Sequence, residues 1–187
     1  MLDEAGVSTV MGKSDVGTPQ LYTWSSDLGG HWFGDKDLRV WHAAGINLLH
    51  YLVPPLCERS KAPVETNLIA HSHGLQVALY ACAEGLLVNT LISVGSPIRH
   101  DMLRVAEQAR KNIAYWLHIH SDESDRMQWL GELFDGHLGV VRRHPLADWN
   151  ESVSGMGHSQ VLRDPSRYGL WSSRGWLEAL HTRWRWK

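Results

Sequence analysis

Short apolar runs alternate with stretches of helical periodicity along most of this chain. The runs at residues 64–70, 88–94 and 113–119 are mostly apolar or β-branched and are bounded by polar residues. Such runs are typical of parallel strands that are buried on both faces of a sheet. Residues 20–24 resemble a further short strand, so the pattern predicts four strands in this part of the chain.

The segments between these strands carry apolar residues at helical spacing. Residues 38–52 show this spacing until Pro54 and Pro55, which are expected to end the helix because proline lacks an amide hydrogen and clashes with the preceding turn. Two further helices are predicted at 75–82 and 101–111. The alternation favours an α/β fold, with helices on both faces of a mostly parallel sheet and ligand sites at the carboxyl ends of its strands.

The pattern weakens toward both ends of the chain. Residues 1–18 carry Gly, Ser, Thr and Asp without sustained periodicity, and we expect a flexible arm ahead of a single domain at 19–187. Beyond residue 130 the sequence predicts a short strand near 140–141, a loop from 145 to 158 and a final helix from about 173 to 182. A length of 187 residues suits one packed core.

Composition and charge then narrow the classes of function. The formal net charge is −2 and basic residues form no long run, so nothing favours a nucleic-acid partner. The amino-terminal sequence is acidic and lacks the apolar segment of a secretory signal, and no apolar run approaches the length of a membrane span. We expect a cytoplasmic protein without stable membrane insertion, with Cys82 as a buried thiol; the oligomeric state is not predicted.

The most informative segment is residues 67–79, where an apolar strand runs into Ser72 and continues as an apolar helix. A nucleophile elbow has this order, because a strained strand-to-helix turn lifts the serine oxygen above the sheet edge and points the helix amino terminus at the reacting carbonyl. The turn needs small neighbours, and Ala70 and Gly74 stand two residues to either side. A serine that only caps a helix is the competing interpretation.

Partners for a serine nucleophile follow in the order Ser, acid, His. The strand at 113–119 leads into three acidic residues, of which Asp125 is favoured as the orienting carboxylate because an apolar residue follows two positions later; Asp122 and Glu123 lie close enough to replace it. The favoured base is His158, which follows Gly157 and precedes an apolar run. An imidazole takes the serine proton and a carboxylate fixes its tautomer, so all three roles have candidates.

The other histidines have simpler explanations. His118 and His120 alternate onto one face of a strand, where packed or hydrogen-bonded histidines are the expectation. His71 and His73 flank Ser72 and line the cleft in this interpretation; as metal ligands they lack the third and fourth partners of a zinc pattern, so no metal site is predicted.

The span from Tyr22 to about Trp176 resembles the α/β-hydrolase superfamily, especially compact lipase-like serine esterases with an Ala-His-Ser-His-Gly elbow. Three pieces carry the resemblance: residues 22–25 ahead of the first helix, the elbow at 69–74, and the later segments 125–131 and 157–159. The resemblance implies ester hydrolysis through an acyl-enzyme, with the backbone N–H of His73 as one oxyanion donor and no cofactor.

One departure from that family concerns the oxyanion hole. Its members usually begin with a strand ending in His-Gly, whose loop gives the second oxyanion donor, and residues 1–19 contain neither that dipeptide nor a convincing apolar strand. The sheet is therefore expected to be trimmed on its amino-terminal side. Backbone amides from Ser25 onward are candidates to replace the donor, with Trp24 beside the pocket.

The expected activity is hydrolysis of a small-molecule or lipid ester by Ser72, Asp125 and His158. Two alternatives remain open at this point. One is a catalytically weakened hydrolase fold that serves as a binding or structural module, which the missing strand would favour. The other is a thioesterase or acyl transferase, which uses the same triad and cannot be separated by residue spacing.

Overall fold

A six-stranded sheet forms the centre of the molecule. The computed structural model describes residues 6–12, 20–23, 35–59, 65–121, 143–155, 157 and 160–184. The strands are β1 (Gly6–Gly12), β2 (Gln20–Thr23), β3 (Glu65–His71), β4 (Val88–Val94), β5 (Ile113–Ser121) and β6 (Trp149–Val153), in the spatial order β2-β1-β3-β4-β5-β6.

Helices connect and cover these strands. They are α1 (Asp35–Arg59), α2 (Gly74–Ala83), α3 (Leu103–Arg110), α4 (Gln160–Arg163), α5 (Tyr168–Ser173) and α6 (Trp176–His181), with single 3-10 turns at His100–Met102 and Pro165–Arg167. None of the helices within the described ranges combines the length and apolarity needed to cross a bilayer.

Four of the strands, β3 to β6, run parallel, so their carboxyl ends meet at one edge of the sheet. Crossover helices link β3 to β4 and β4 to β5, as parallel pairing requires. The predicted α/β fold is confirmed. The two remaining strands are antiparallel: β1 pairs with β3 on one side and with β2 on the other.

The sheet separates two apolar layers, and helices lie in both. One layer joins buried residues of α1, α2 and α3 to sheet residues such as Leu68, Leu91 and Trp116. The other joins the carboxyl-terminal helices to Ile92 and Leu117, among others. Residues adjacent along β4 and β5 therefore point into opposite layers, which explains why these strands are apolar throughout.

The structure corrects the interpretation of the amino-terminal residues. Gly6–Gly12 was expected within a flexible arm, but it is a strand whose residues pair with β3 from Val7 opposite Ala70 to Gly12 opposite Glu65. The sheet is therefore not trimmed on that side of β3. The residues of β1 mix Ser and Thr with Val and Met and form no apolar run, so the sequence did not indicate a buried strand, although β-branched residues favour strands.

Three further boundaries differ from the prediction. The first helix continues past Pro54 and Pro55 to Arg59, so the two prolines do not end it, although each removes a helical hydrogen bond. Part of the expected loop at 145–158 is the strand β6, whose polar sequence suits a partly exposed strand. The final helix, expected from about 173, is α6 and begins at Trp176, because Gly175 has φ +71, a left-handed conformation that separates it from α5. The strand expected near 140–141 lies outside the described residues.

A polar clamp of Asn67, Asn89 and Thr90 joins the amino ends of β3 and β4 to the carboxyl-terminal segment. The amide nitrogen of Asn67 donates to the carbonyl of Leu180 at 2.9 Å, and that of Asn89 donates to the carbonyl of Thr182 at 2.8 Å. The Thr90 hydroxyl donates to the carbonyl of Ala179 at 2.9 Å. The clamp thus satisfies buried polar side chains and the last carbonyls of α6 together.

Candidate active site

Ser72 occupies the turn between β3 and α2 in a strained backbone conformation. Its φ is 52°, and among the described residues it is the one non-glycine residue with positive φ. The Ser72 amide donates to the carbonyl of Val94 at 3.0 Å, and the Ser72 carbonyl accepts from the amide of Leu75 at 3.2 Å. The predicted strand-turn-helix geometry is therefore present, with a left-handed serine rather than an ordinary helix cap at its centre.

The position of this turn is also the one expected for a ligand site. Ser72 follows the last residue of β3, at the edge where the parallel strands end, and it precedes the first turn of α2. Helix amino termini attract negative charge because their first amides lack helical partners. Ser72 itself is 6% exposed, and Ala70 and Gly74 beside it are buried. Small neighbours thus allow the tight turn.

His73 is packed against a tryptophan of the first helix. Its ring stacks on that of Trp41, with centroids 5.2 Å apart and planes 17° apart. On the same tryptophan, the Arg99 guanidinium carbon lies 4.8 Å from the ring centroid. Arg99 donates to both carboxylate oxygens of Asp101, at 2.9 Å from Nε and 2.5 Å from Nη2. The pair holds the pKa of the Asp101 carboxyl below its usual value, chiefly through this hydrogen bond.

The loop after β4 is fastened to the same helix terminus. Gly95 has a positive φ of 57°, and the Ser96 hydroxyl donates back to the carbonyl of Val94 at 3.3 Å. Gln76, in the first turn of α2, donates from its side-chain nitrogen to the carbonyl of Pro97 at 3.0 Å. The side-chain oxygen of Gln76 is buried and has no hydrogen-bond partner within the parts of the chain that the structure describes. The loop therefore forms a fixed wall beside Ser72.

A second serine-histidine pair lies deeper in the molecule. The Ser93 hydroxyl oxygen accepts from Trp116 Nε1 at 2.9 Å and lies 2.8 Å from His118 Nδ1. Because the Trp116 nitrogen is only a donor, the Ser93 hydroxyl hydrogen is available for Nδ1, which favours the Nε2–H tautomer of His118. Ser93 and His118 are fully buried, so the pair is structural rather than open to substrate.

The expectation that His118 and His120 are packed on one strand face is confirmed, since both are buried and their rings stack at 5.9 Å. His144 joins them, with its ring 4.1 Å from that of Trp116 and 5.9 Å from that of His118. Burial lowers the pKa of His144 to about 4. Its Nδ1 accepts from the amide of Leu146 at 3.3 Å, so the neutral ring is the form that the structure holds.

The predicted site residues divide into two groups. Ser72, His71 and His73 lie together at the carboxyl end of β3, and His71 is buried. The other candidates lie outside the described residues; they are Asp125, its alternatives Asp122 and Glu123, His158, Ser25 and Trp24. Their sequence neighbours are described: β5 ends at Ser121, and Gly157 donates its amide to the side-chain oxygen of Gln160 at 2.9 Å at the start of α4.

Sequence reasoning missed two residues next to the elbow. Trp41 counted only as one apolar position of a helix, and Arg99 carried no signal because it stands in a loop outside any motif. An arginine two residues from an aspartate, soon after a buried strand, is the one local hint. The expected buried thiol at Cys82 is confirmed, and burial raises its pKa.

Comparisons with family models, with curated proteins and with solved structures give no significant match for this chain. No set of three His, Cys, Asp or Glu side chains in the described ranges is arranged to hold a metal ion.

Proposed function

We propose that this chain is a serine hydrolase of the α/β-hydrolase type that cleaves carboxylic esters through an acyl-enzyme on Ser72. The observation that carries the proposal is the left-handed backbone of Ser72, φ 52°, between a parallel strand and a helix amino terminus. A non-glycine residue is rarely kept in this conformation without a functional reason, because the conformation costs about 1–3 kcal/mol. The nucleophile elbow is the arrangement in which a serine is held in this way.

The reaction divides into two steps. His158 takes the proton of the Ser72 hydroxyl as its oxygen attacks the ester carbonyl, and it returns that proton to the departing alcohol. Water then attacks the acyl-enzyme with the same histidine as base, which releases the acid and restores the hydroxyl. Asp125, with Asp122 as its alternative, fixes the histidine tautomer, and the backbone N–H of His73 donates to the oxyanion.

The substrate class is a small or accessible acyl ester, since the sequence shows no amphipathic lid segment. The reaction as proposed needs no cofactor. A cytoplasmic location belongs to the same proposal and rests on the paucity of cysteine.

A fluorophosphonate label and a short p-nitrophenyl ester test the proposal. We expect covalent labelling of folded protein at Ser72, ester turnover by the wild type, and loss of both in Ser72→Ala. Ser172→Ala is the matched control, because Ser172 is an exposed serine of α5, and this variant should keep labelling and turnover. Turnover that survives Ser72→Ala, or wild-type protein that is not labelled, would refute the proposal.

The triad assignment has its own test. His158→Ala and Asp125→Asn should each lower kcat by a factor of about 10³ or more, whereas Asp122→Asn should not if Asp125 is the orienter. The reverse result for the two aspartates would exchange their roles. Comparison of thioester with oxyester substrates in the same assay decides between an esterase and a thioesterase.

The binding-module alternative loses the feature that favoured it. It depended on a missing amino-terminal strand, and β1 occupies that side of β3. Folded protein without turnover toward either ester class would favour the binding-module alternative.

A further inference from the structure

Trp41 connects the first helix to the residue that follows the proposed nucleophile. It is 3% exposed, its ring stacks on His73, and the Arg99 guanidinium lies against the same ring. Asp101 holds that guanidinium through two hydrogen bonds. A chain of contacts thus runs from the loop after β4, through the helix α1, to the elbow.

Contacts on either side of the strained serine restrain its backbone. The Ser72 amide is fixed by the carbonyl of Val94, and the residue after Ser72 is fixed through its ring. His73 caps α2 with φ −64° and ψ −12°, so the peptide between the two residues joins a left-handed residue to a helical one. Strained conformations persist only where the surroundings over-determine them. The carbonyl of this peptide accepts from the amide of Leu75 at 3.2 Å, and the Trp41 stack restrains the residue that carries its N–H.

We propose that Trp41 is a positioning residue for the oxyanion hole: by stacking on His73 it holds the His73 amide in the direction that the oxyanion requires, and Arg99 with Asp101 holds Trp41. This inference rests on the proposed function of Ser72. Oxyanion donors act through preorganised direction and distance, so a small rotation of this peptide lowers the rate without removing the donor.

Packing alone does not explain this arrangement. Other core residues of α1, such as Leu48 and Leu52, are aliphatic and fully buried, and they fill the same layer without polar contacts. The Arg99 side chain is only 6% exposed, whereas that of Asp101 is 40% exposed. The guanidinium thus loses most of its hydration for a carboxylate that stays in contact with water, and such a pair contributes little net stability. A buried cation on a tryptophan beside the elbow is therefore better explained by the geometry that it maintains.

Site-titrated kinetics test the role of Trp41. One portion of each full-length protein is labelled to completion with fluorophosphonate to count active sites. An unlabelled portion gives kcat and KM for a p-nitrophenyl ester, and kcat is expressed per site. Trp41→Leu removes the stack and should lower kcat per site by about 10- to 100-fold, with KM within about twofold. Trp41→Phe keeps a ring and should stay within about threefold of the wild type. If Trp41→Leu does not fold, Trp41→Met, which fills more of the space, replaces it with the same expectation.

Leu48→Ala is the matched control, since it weakens the same helix in the same layer without touching His73. It should lower Tm and leave kcat per site unchanged. Unchanged kcat per site in Trp41→Leu would overturn the inference, and so would a raised KM with unchanged kcat, which would make the ring a substrate contact. Wild-type protein without labelling at Ser72 would instead remove the proposed function and the inference with it.

Discussion

Ser72 has a hydroxyl that the proposed chemistry needs and a backbone that its side chain disfavours. The left-handed region is open to glycine at little cost, but a Cβ atom there is crowded by the following carbonyl. The residue is nevertheless serine, with φ 52°. At the scale of single residues, stability is thus lower at this position than it would be with glycine.

Comparison of Ser72→Gly with Ser72→Ala isolates this strain, because both variants lack the hydroxyl and differ only by the Cβ atom. We expect the glycine variant to have the higher free energy of unfolding, by about 1 kcal/mol, as glycine relieves the positive φ. Urea denaturation of the two proteins measures the difference. An alanine variant at least as stable as the glycine variant would show that the turn is relaxed.

At the scale of elements, the elbow depends on a close crossing of α1 and α2. A Cβ atom at Gly45 would lie 2.6 Å from the Cβ of Tyr80 and 2.9 Å from both the amide nitrogen of Ala81 and the carbonyl oxygen of Val77. Two of these atoms belong to the backbone of α2, so a side chain at Gly45 would push the helices apart. The same crossing keeps Trp41, one helical turn earlier, within reach of His73.

Gly45→Ala is therefore expected to lower the free energy of unfolding by about 1–3 kcal/mol, since overpacking outweighs the gain in helix propensity. Gly169→Ala is the control: Gly169 also lies in a helix, but a Cβ there meets nothing within 4 Å. That variant should be neutral or up to about 1 kcal/mol more stable. Equal effects in the two variants, measured by chemical denaturation, would contradict a close helix crossing.

The strands that sequence predicted well are those buried on both faces of the sheet. β4 has the predicted bounds, Val88–Val94, because every residue of it is buried and the sequence is apolar throughout. The sequence did not predict β1 or β6, because β1 is mixed in composition and β6 is a polar strand at the sheet edge. Local sequence does not encode such pairing, since the partner strand supplies the hydrogen bonds.

In the candidate site, too, sequence predicted the part that depends on local residues and missed the part that depends on distant ones. Ser72 could be placed because its motif is local and the strained turn has a sequence signature. Trp41 and Arg99 could not, because their roles depend on a helix and a loop that meet the elbow only after folding.

At the scale of the whole molecule, a buried histidine links stability to pH. His144 is 3% exposed and its pKa is lowered to about 4 from 6.5. Because the folded state disfavours the charged ring, the unfolded chain binds the proton first as pH falls. The free energy of unfolding is not reduced by His144 above pH 6.5. It falls as the pH drops from 6.5 to about 4, and below that the effect of His144 is constant.

Over that interval, His144 is expected to lower the free energy of unfolding by about 3 kcal/mol, at 1.36 kcal/mol for each unit of pKa difference. Unfolding free energies measured from pH 7 to pH 4 should therefore fall less steeply in His144→Gln than in the wild type. His181→Gln, at an exposed position, should keep the wild-type slope. A wild-type slope that persists in His144→Gln would exclude this residue as the source.

The clamp formed by Asn67, Asn89 and Thr90 sets a constraint on the order of folding. Thr90 and Ala179 are 89 residues apart in the chain, and Asn67 and Leu180 are 113 apart. During translation, the ribosome makes β3 and β4 long before the carbonyls that satisfy them exist. Water must hydrate these side chains in the interval, and burying them without partners would be costly. This end of the sheet can therefore close only after residues 179–182 have been made and have returned to β3 and β4, which are contacts of high sequence separation.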